Sequence, residues 1–205
     1  MTDPNAARPT EARSLGRIVV IAGPTCVGKT TLARGLRENA RPHLERTLGL
    51  APGSSYRLVE AKGWRSLEPA GCDALVLHYD FGRSRFSGFA RDRALSLLDR
   101  AQDLVFLTLW ERPEEIEERF RRRRQRVLIH LFRLRFRSAW RSFCWFRCHR
   151  ALAPRDRIWS LYQSWFAYCG DRDRATHWVL RPTAEDTPRR LSVTPSSPFW
   201  ETAEA

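Results

Sequence analysis

Residues 17–30 have the sequence Arg17-Ile18-Val19-Val20-Ile21-Ala22-Gly23-Pro24-Thr25-Cys26-Val27-Gly28-Lys29-Thr30, in which an apolar run meets a glycine-containing turn. The apolar part is typical of a strand buried in a parallel sheet. The part from Gly23 to Thr30 matches G-x-x-x-x-G-K-[ST] without a gap. Good helix formers follow as far as Ala40, before Pro42. The segment therefore predicts a strand, a loop and a helix in succession.

The chemistry of phosphate binding explains the spacing inside this loop. Gly23 and Gly28 permit backbone torsions and a close approach that a side chain would block. The loop amides then point at the phosphates, and the following helix adds its positive end. We expect Lys29, one of only two lysines in the chain, to reach the β- and γ-phosphates and the Thr30 hydroxyl to ligate Mg²⁺. The predicted ligand is ATP with Mg²⁺, and the predicted contacts are Gly23, Pro24, Thr25, Cys26, Val27, Gly28, Lys29, Thr30 and Thr31.

On these residues the chain resembles the P-loop kinases, the superfamily of nucleotide, shikimate and gluconate kinases. The resemblance is specific over residues 17–31 and architectural over about residues 73–181. It implies a three-layer P-loop NTPase with a five-stranded parallel sheet, bound ATP and Mg²⁺, and an acceptor site above the strand ends. The opening Gly23-Pro24-Thr25 also looks like the loop of the tRNA isopentenyltransferases, which are longer enzymes and whose acidic second-strand motif is absent here.

The remaining pattern favours an α/β fold with helices on both faces of the sheet. Further strands are predicted at 56–61, 74–80, 103–110 and 176–180, and helical faces at 89–101, from Pro113 onward and at 158–168. We expect one domain over residues 16–182. Its predicted parts are a basic, helical, lid-like insertion over 113–153, a flexible tail over 1–15 and another over 183–205.

Composition places the chain among globular proteins. It has 205 residues, of which 42% are hydrophobic, enough for one domain with a sizeable core. No apolar run reaches the roughly 18 residues of a membrane span, and the N-terminus lacks the pattern of a secretory signal. The five cysteines form no paired framework and indicate reduced thiols. These features predict a cytoplasmic protein.

The formal charge of +13 is concentrated in one segment. Residues 119–150 contain 12 arginines and no acidic residue, so the rest of the chain sums to about +1. Such a segment can bind a membrane surface, a nucleic acid or a partner protein as a basic amphipathic helix. It can equally pack its aromatic side chains on the domain. Cys144, Cys148 and His149 lack the spacing of a zinc site, so buried thiols are expected there.

Asp80 ends the predicted strand 74–80, at the edge where ligands bind in parallel sheets. It is predicted to ligate Mg²⁺ or to act as a general base. The alternative is an Asp that caps the next turn. Arg83 and Arg85 follow and can clamp an anionic acceptor, although they can also be ordinary surface arginines. Glu60 is an alternative base, and His78 is interpreted as a core histidine.

Arginines after the fourth predicted strand occupy the place of the mobile lid in P-loop kinases. In that family, lid arginines stabilise charge on the transferring phosphoryl group. By resemblance, Arg119 and either Arg122 or Arg123 are candidates for that role, because they lie on one helix face. A solvated basic face is the alternative.

The sequence thus predicts an ATP-dependent kinase acting on a small-molecule acceptor that the residues do not specify. A nucleotide-gated interaction protein that uses its basic helix on a membrane or nucleic acid is a second hypothesis. A sulfotransferase-like enzyme is a third, although its phosphate loop usually departs from the Gly28-Lys29-Thr30 form. ATP is favoured over GTP because the chain lacks an Asn-Lys-x-Asp guanine motif.

Overall fold

The structure, a computed structural model, describes residues 15–38, 40–50, 55–60, 72–84, 88–92, 95–132, 154–172, 174–182 and 189–190. The strands within these residues are β1 (Leu15–Gly23), β2 (Tyr56–Glu60), β3 (Ala74–Asp80), β4 (Ala101–Leu109), β5 (Thr176–Leu180) and β6 (Arg189–Arg190). The helices are α1 (Lys29–Arg37), α2 (Pro42–Thr47), α3 (Pro113–Phe132) and α4 (Arg155–Gly170).

One sheet joins all of these strands in the order β2-β3-β1-β4-β5-β6. The first five are mutually parallel, whereas β6 pairs antiparallel with β5, with Arg190 opposite Trp178. The predicted α/β class and its five parallel strands are therefore confirmed. The short strand β6 lies inside the segment 183–205, which the sequence pattern predicts to be a tail.

The central strand β1 is buried throughout its apolar run. Each residue from Ile18 to Ala22 has no exposed surface, as expected for a strand covered on both faces. Helix α1 contributes buried Leu32 and Leu36, and α4 contributes Ile158 and Trp165. Burial of these apolar side chains supplies the main driving force for folding.

The region between β3 and β4 differs from the single helix predicted at 89–101. Two short 3₁₀ turns, Phe89–Arg91 and Ser96–Arg100, lie there instead, and β4 already begins at Ala101. Asp92 ends the first turn in an extended conformation, with φ −75° and ψ 115°. Its buried carboxylate accepts a hydrogen bond of 2.8 Å from the Tyr79 hydroxyl. This tertiary contact outweighs the helical spacing of the apolar residues.

The strand order creates a crevice at one edge of the sheet. After β1 the chain crosses β3 to reach β2, whereas after β3 it crosses β1 in the other direction to reach β4. Because such crossovers are right-handed, connections that run in opposite directions lie on opposite faces. The carboxyl ends of β1 and β3 therefore flank a topological switch point, where open α/β sheets bind ligands.

Trp165 anchors α4 to the sheet. It is fully buried, stacks on Tyr79 and donates a hydrogen bond of 2.8 Å from Nε1 to the Thr108 hydroxyl. Trp165→Phe keeps an aromatic ring but removes the donor and part of the volume, so we expect a loss of about 2 kcal/mol in unfolding free energy. Urea denaturation measures this loss. Trp159→Phe, on the same helix but only partly buried, should cost less than half as much.

The burial of His177 predicts that the stability of the fold depends on pH. Its ring stacks on Phe106 with centroids 5.1 Å apart, and burial lowers its pKa to about 4. In the unfolded chain the pKa is about 6.5, so between these values the unfolded state binds more protons. We expect His177 to weaken the fold progressively as the pH falls from about 6.5 towards 4. Urea midpoints at several pH values should show a smaller decline in His177→Phe, and an equal decline would contradict the assignment.

Candidate functional site

The loop between β1 and α1 has the tight backbone that its glycines predict. A Cβ atom on Gly23 would lie 2.8 Å from Val27 Cγ1 and 3.1 Å from the Leu109 carbonyl oxygen, so a side chain there forces a rearrangement. Gly28 has φ 113°, which residues with side chains rarely adopt. Both glycines are therefore required by the loop conformation.

Helix α1 presents a positive end to this loop. Gly28 is its N-cap residue, its first turn carries no acidic side chain, and Arg34 and Arg37 lie in its last turn. The first amides of a helix have no partner within the helix, and the macrodipole favours negative charge beside them. The start of α1 thus suits a phosphate group.

Lys29 is folded back into the loop. Its side chain is only 4% exposed, and Nζ donates hydrogen bonds to the carbonyl oxygens of Gly23 at 2.7 Å and Pro24 at 2.6 Å. A third bond of 2.9 Å goes to Asp80 Oδ2. All three ammonium protons therefore have protein acceptors, and a bound phosphate would have to exchange with some of these acceptors.

Asp80 joins two strands at the switch point. It ends β3 directly opposite Gly23 of β1, and its carboxylate accepts hydrogen bonds from the Thr25 hydroxyl at 3.0 and 3.1 Å. The Gly82 amide also donates to it at 2.8 Å. Asp80 therefore caps the following turn and contacts the loop lysine at the same time. The capping contact is thus present, while the role of Asp80 towards Mg²⁺ or an acceptor stays a prediction.

Helix α3 reaches the loop Gly23–Thr30 through Arg123. The Arg123 guanidinium donates a hydrogen bond to the sulfur of Cys26, a residue in the left-handed region with φ 71°. Burial raises the pKa of the Cys26 thiol, while Arg123 and Lys29 oppose that rise. Arg123, one of the three arginines considered for the lid role, thus contacts this loop.

Arg119 and Arg122 make different contacts. Arg119 Nη2 lies 2.8 Å from Glu111 Oε2, and Arg122 Nε donates to Glu118 Oε1, one helical turn earlier, at 2.8 Å. Arg122 is exposed, so its pair with Glu118 contributes little to stability. Arg119 by contrast is bound to a carboxylate with no exposed surface.

Glu111 is a residue that the sequence analysis does not single out. It lies two residues beyond β4, and its Oε1 accepts a hydrogen bond of 3.0 Å from Arg181 Nε, just after β5. The next residue, Pro182, would be 3.5 Å from a Cβ on Gly28. Glu111 and Arg181 lie just beyond parallel strands, at the edge of the sheet where Asp80 ends β3. A polar residue at the end of an apolar run therefore marks their positions in the sequence, although not the contact between them.

The remaining candidates lie on α1, on β2 and in the turn after β3, or outside the described residues. Thr30 and Thr31 are exposed on the first turn of α1, and Glu60 pairs in register with His78. Arg83 lies in the 3₁₀ turn after β3, Phe81–Ser84. Arg85 and the segment 133–153, with Cys144, Cys148 and His149, lie outside the described residues.

A pocket of about 470 Å³ lies between the first turns of α3 and α4. Trp110 and Trp159 line it, with ring centroids 5.5 Å apart. Its charged lining residues are Arg112, Glu114, Glu115, Arg155 and Asp156. Because Trp110 directly follows β4, the pocket opens beyond the carboxyl end of that strand.

The described residues contain no group of three or more His, Cys, Asp or Glu side chains arranged to hold a metal ion. Thr30 and Asp80 supply oxygen atoms of the kind that Mg²⁺ prefers, and Mg²⁺ is commonly held by one or two protein ligands together with phosphates and water. The predicted Mg²⁺ ligands thus suit an ion that arrives with a nucleotide.

Comparison of the chain with protein-family models, with curated proteins and with solved structures finds no match. In the part of the chain that the structure describes, none of the helices is long and apolar enough to cross a membrane.

Proposed function

We propose that this chain binds ATP with Mg²⁺ on the loop Gly23–Thr30 and transfers a phosphoryl group to a small-molecule acceptor. The observation that carries the proposal is the contact of 2.9 Å between Lys29 and Asp80. It brings the loop lysine and a carboxylate together at the topological switch point of a parallel sheet. A cation for the phosphates and a carboxylate for the metal or for the proton of the acceptor are the groups that phosphoryl transfer requires.

Each group has a definite role in this proposal. The Gly28 backbone and the first amides of α1 bind phosphate oxygens, and Lys29 exchanges its loop carbonyl partners for them. Thr30 and Asp80 would hold Mg²⁺, which neutralises charge on the phosphates when bound. Alternatively, Asp80 accepts the proton of an acceptor hydroxyl. Arg123 stabilises charge on the transferring group from above the loop.

The test begins with binding. Calorimetric titration with ATP, GTP and adenosine 3′-phosphate 5′-phosphosulfate, each with and without Mg²⁺, should show ATP binding that Mg²⁺ strengthens. ATP turnover is then measured with a panel of hydroxyl and phosphate acceptors, and at least one should stimulate it. Binding of the phosphosulfate alone would instead support the sulfotransferase alternative. If no acceptor stimulates turnover, the kinase assignment fails.

The Arg123 contact favours one second candidate, a nucleotide-gated interaction protein. Helix α3 continues from Arg123 to Phe132 and leads towards the arginines of 133–150. A nucleotide that displaced Arg123 from Cys26 would thereby move the start of this basic segment. This candidate predicts acceptor-independent hydrolysis and nucleotide-dependent binding to anionic vesicles or oligonucleotides, weakening steeply with salt. Absence of such binding at low salt would exclude it.

A further inference from the structure

Glu111 ties two distant segments to the end of β4. Its carboxylate has no exposed surface and contacts Arg119 of α3 and Arg181 beyond β5. The Arg112 amide also donates to Oε1 at 3.3 Å. Burying an ionised carboxylate is costly unless opposite charges and hydrogen bonds compensate. Two guanidiniums supply that compensation, so neither can leave without a large penalty.

The bridge to Arg119 ties α3 to the end of β4. Arg119 and Arg123 are four residues apart, so they project from the same face of the helix. Between them Phe120 is buried, and Ile116 is buried one turn earlier. Anchoring Arg119 at the end of β4 therefore directs Arg123 towards the phosphate loop, where its guanidinium meets the sulfur of Cys26.

We infer that Glu111 is a positioning residue: its carboxylate holds Arg119 and, through α3, sets Arg123 over the loop Gly23–Thr30 without touching the bound anion. The consequence for nucleotide affinity rests on the proposed function, because the anion that Arg123 meets is the triphosphate. The placement of Arg123 beside Cys26 does not depend on any nucleotide.

Glu118 provides a matched comparison on the same helix. Its carboxylate also contacts two arginines, Arg121 and Arg122. Those partners lie within one turn on α3, so their contacts do not connect the helix to the sheet. Replacing Glu118 by Gln removes the same chemical group and leaves the bridge between α3 and β4 intact.

The first experiment is a double-mutant cycle on the full chain. ATP with Mg²⁺ is titrated calorimetrically into wild type, Glu111→Gln, Arg123→Ala, the double variant and Glu118→Gln. We expect each of the first two variants to weaken binding about tenfold, as for loss of one charge-assisted contact. The double variant should bind no more weakly than Arg123→Ala, and Glu118→Gln should stay near wild type. The inference would be overturned if the losses of affinity in the two single variants multiplied in the double variant, or if Glu111→Gln bound ATP as tightly as wild type.

The second experiment needs no nucleotide. The pH dependence of Cys26 alkylation is followed by mass spectrometry, with Lys29 and Asp80 as the other charges around the thiol. Loss of the Arg123 guanidinium should raise the pKa of Cys26 in Arg123→Ala, and Glu111→Gln should raise it equally. A wild-type profile in either variant would refute the positioning role.

The two experiments test the proposed function and the positioning role of Glu111 separately. If wild type fails to bind ATP, the proposed function fails, while the alkylation profile still decides whether Glu111 positions Arg123. Thermal unfolding checks that each variant folds. If Glu111→Gln does not fold, Arg119→Gln takes its place, because it breaks the same bridge while Arg181 still pairs with the carboxylate.

Discussion

Lys29→Ala should weaken the binding of ATP with Mg²⁺ at least about 100-fold. Lys29 is the cation at the centre of the loop, within 2.9 Å of two carbonyl oxygens and a carboxylate. When ATP is bound, we expect Lys29 to exchange these oxygen partners for charge-assisted hydrogen bonds to two phosphates. Losing two such bonds weakens ATP binding by about two orders of magnitude. Calorimetric titration of the purified variant measures the loss directly.

A suitable control removes a charge from the same helix. Arg37 is exposed in the last turn of α1, where a cation has little effect on an anion at the other end. Arg37→Ala should therefore bind ATP within about twofold of wild type, since surface charges are screened. Equal losses in the two variants would indicate general electrostatic attraction by a basic chain and would contradict a specific phosphate loop.

The sequence predicts the central strands well because they are buried on both faces. In such strands the apolar run and the strand coincide, as in β3, which has the predicted bounds Ala74–Asp80. The segment 89–101 is predicted less well, since its apolar spacing is helical. The buried hydrogen bond between Tyr79 and Asp92 overrides that local preference. Periodicity carries no information about such a distant partner.

The candidate site also contains residues that the sequence predicts and residues that it does not. The tight backbone of the loop Gly23–Thr30 can be predicted from the sequence, because it requires glycine at Gly23 and Gly28. Glu111 and Arg181 cannot be predicted in this way, because their importance arises from a contact across 70 residues of chain. In a run of arginines the sequence also leaves Arg122 and Arg123 equivalent. The placement of α3 distinguishes them, since only tertiary structure determines which one meets Cys26.

Asp80→Asn should separate turnover from binding. Asparagine has nearly the same shape as aspartate. In the wild type the Gly82 amide and the Thr25 hydroxyl donate hydrogen bonds to the Asp80 carboxylate, and the asparagine oxygen can still accept them. The substitution removes the negative charge that the metal or the acceptor proton requires. We expect phosphoryl transfer to fall about 10²- to 10⁴-fold, measured as acceptor-dependent ATP turnover. The affinity for ATP in the absence of Mg²⁺ should not decrease, because the Asp80 carboxylate competes with the phosphates for Lys29 and the variant lacks it.

The loss of turnover distinguishes a catalytic or metal-binding Asp80 from a residue that only caps the turn. A cap alone predicts a modest loss of stability and unchanged turnover, because the asparagine keeps the cap. Asp99 lies just before β4, and its exposed carboxylate pairs with Arg172. Asp99→Asn is therefore the matched control. It should leave both turnover and affinity unchanged. Wild-type turnover in Asp80→Asn would leave the Lys29–Asp80 contact as a structural pair and would remove the carboxylate from the proposed reaction.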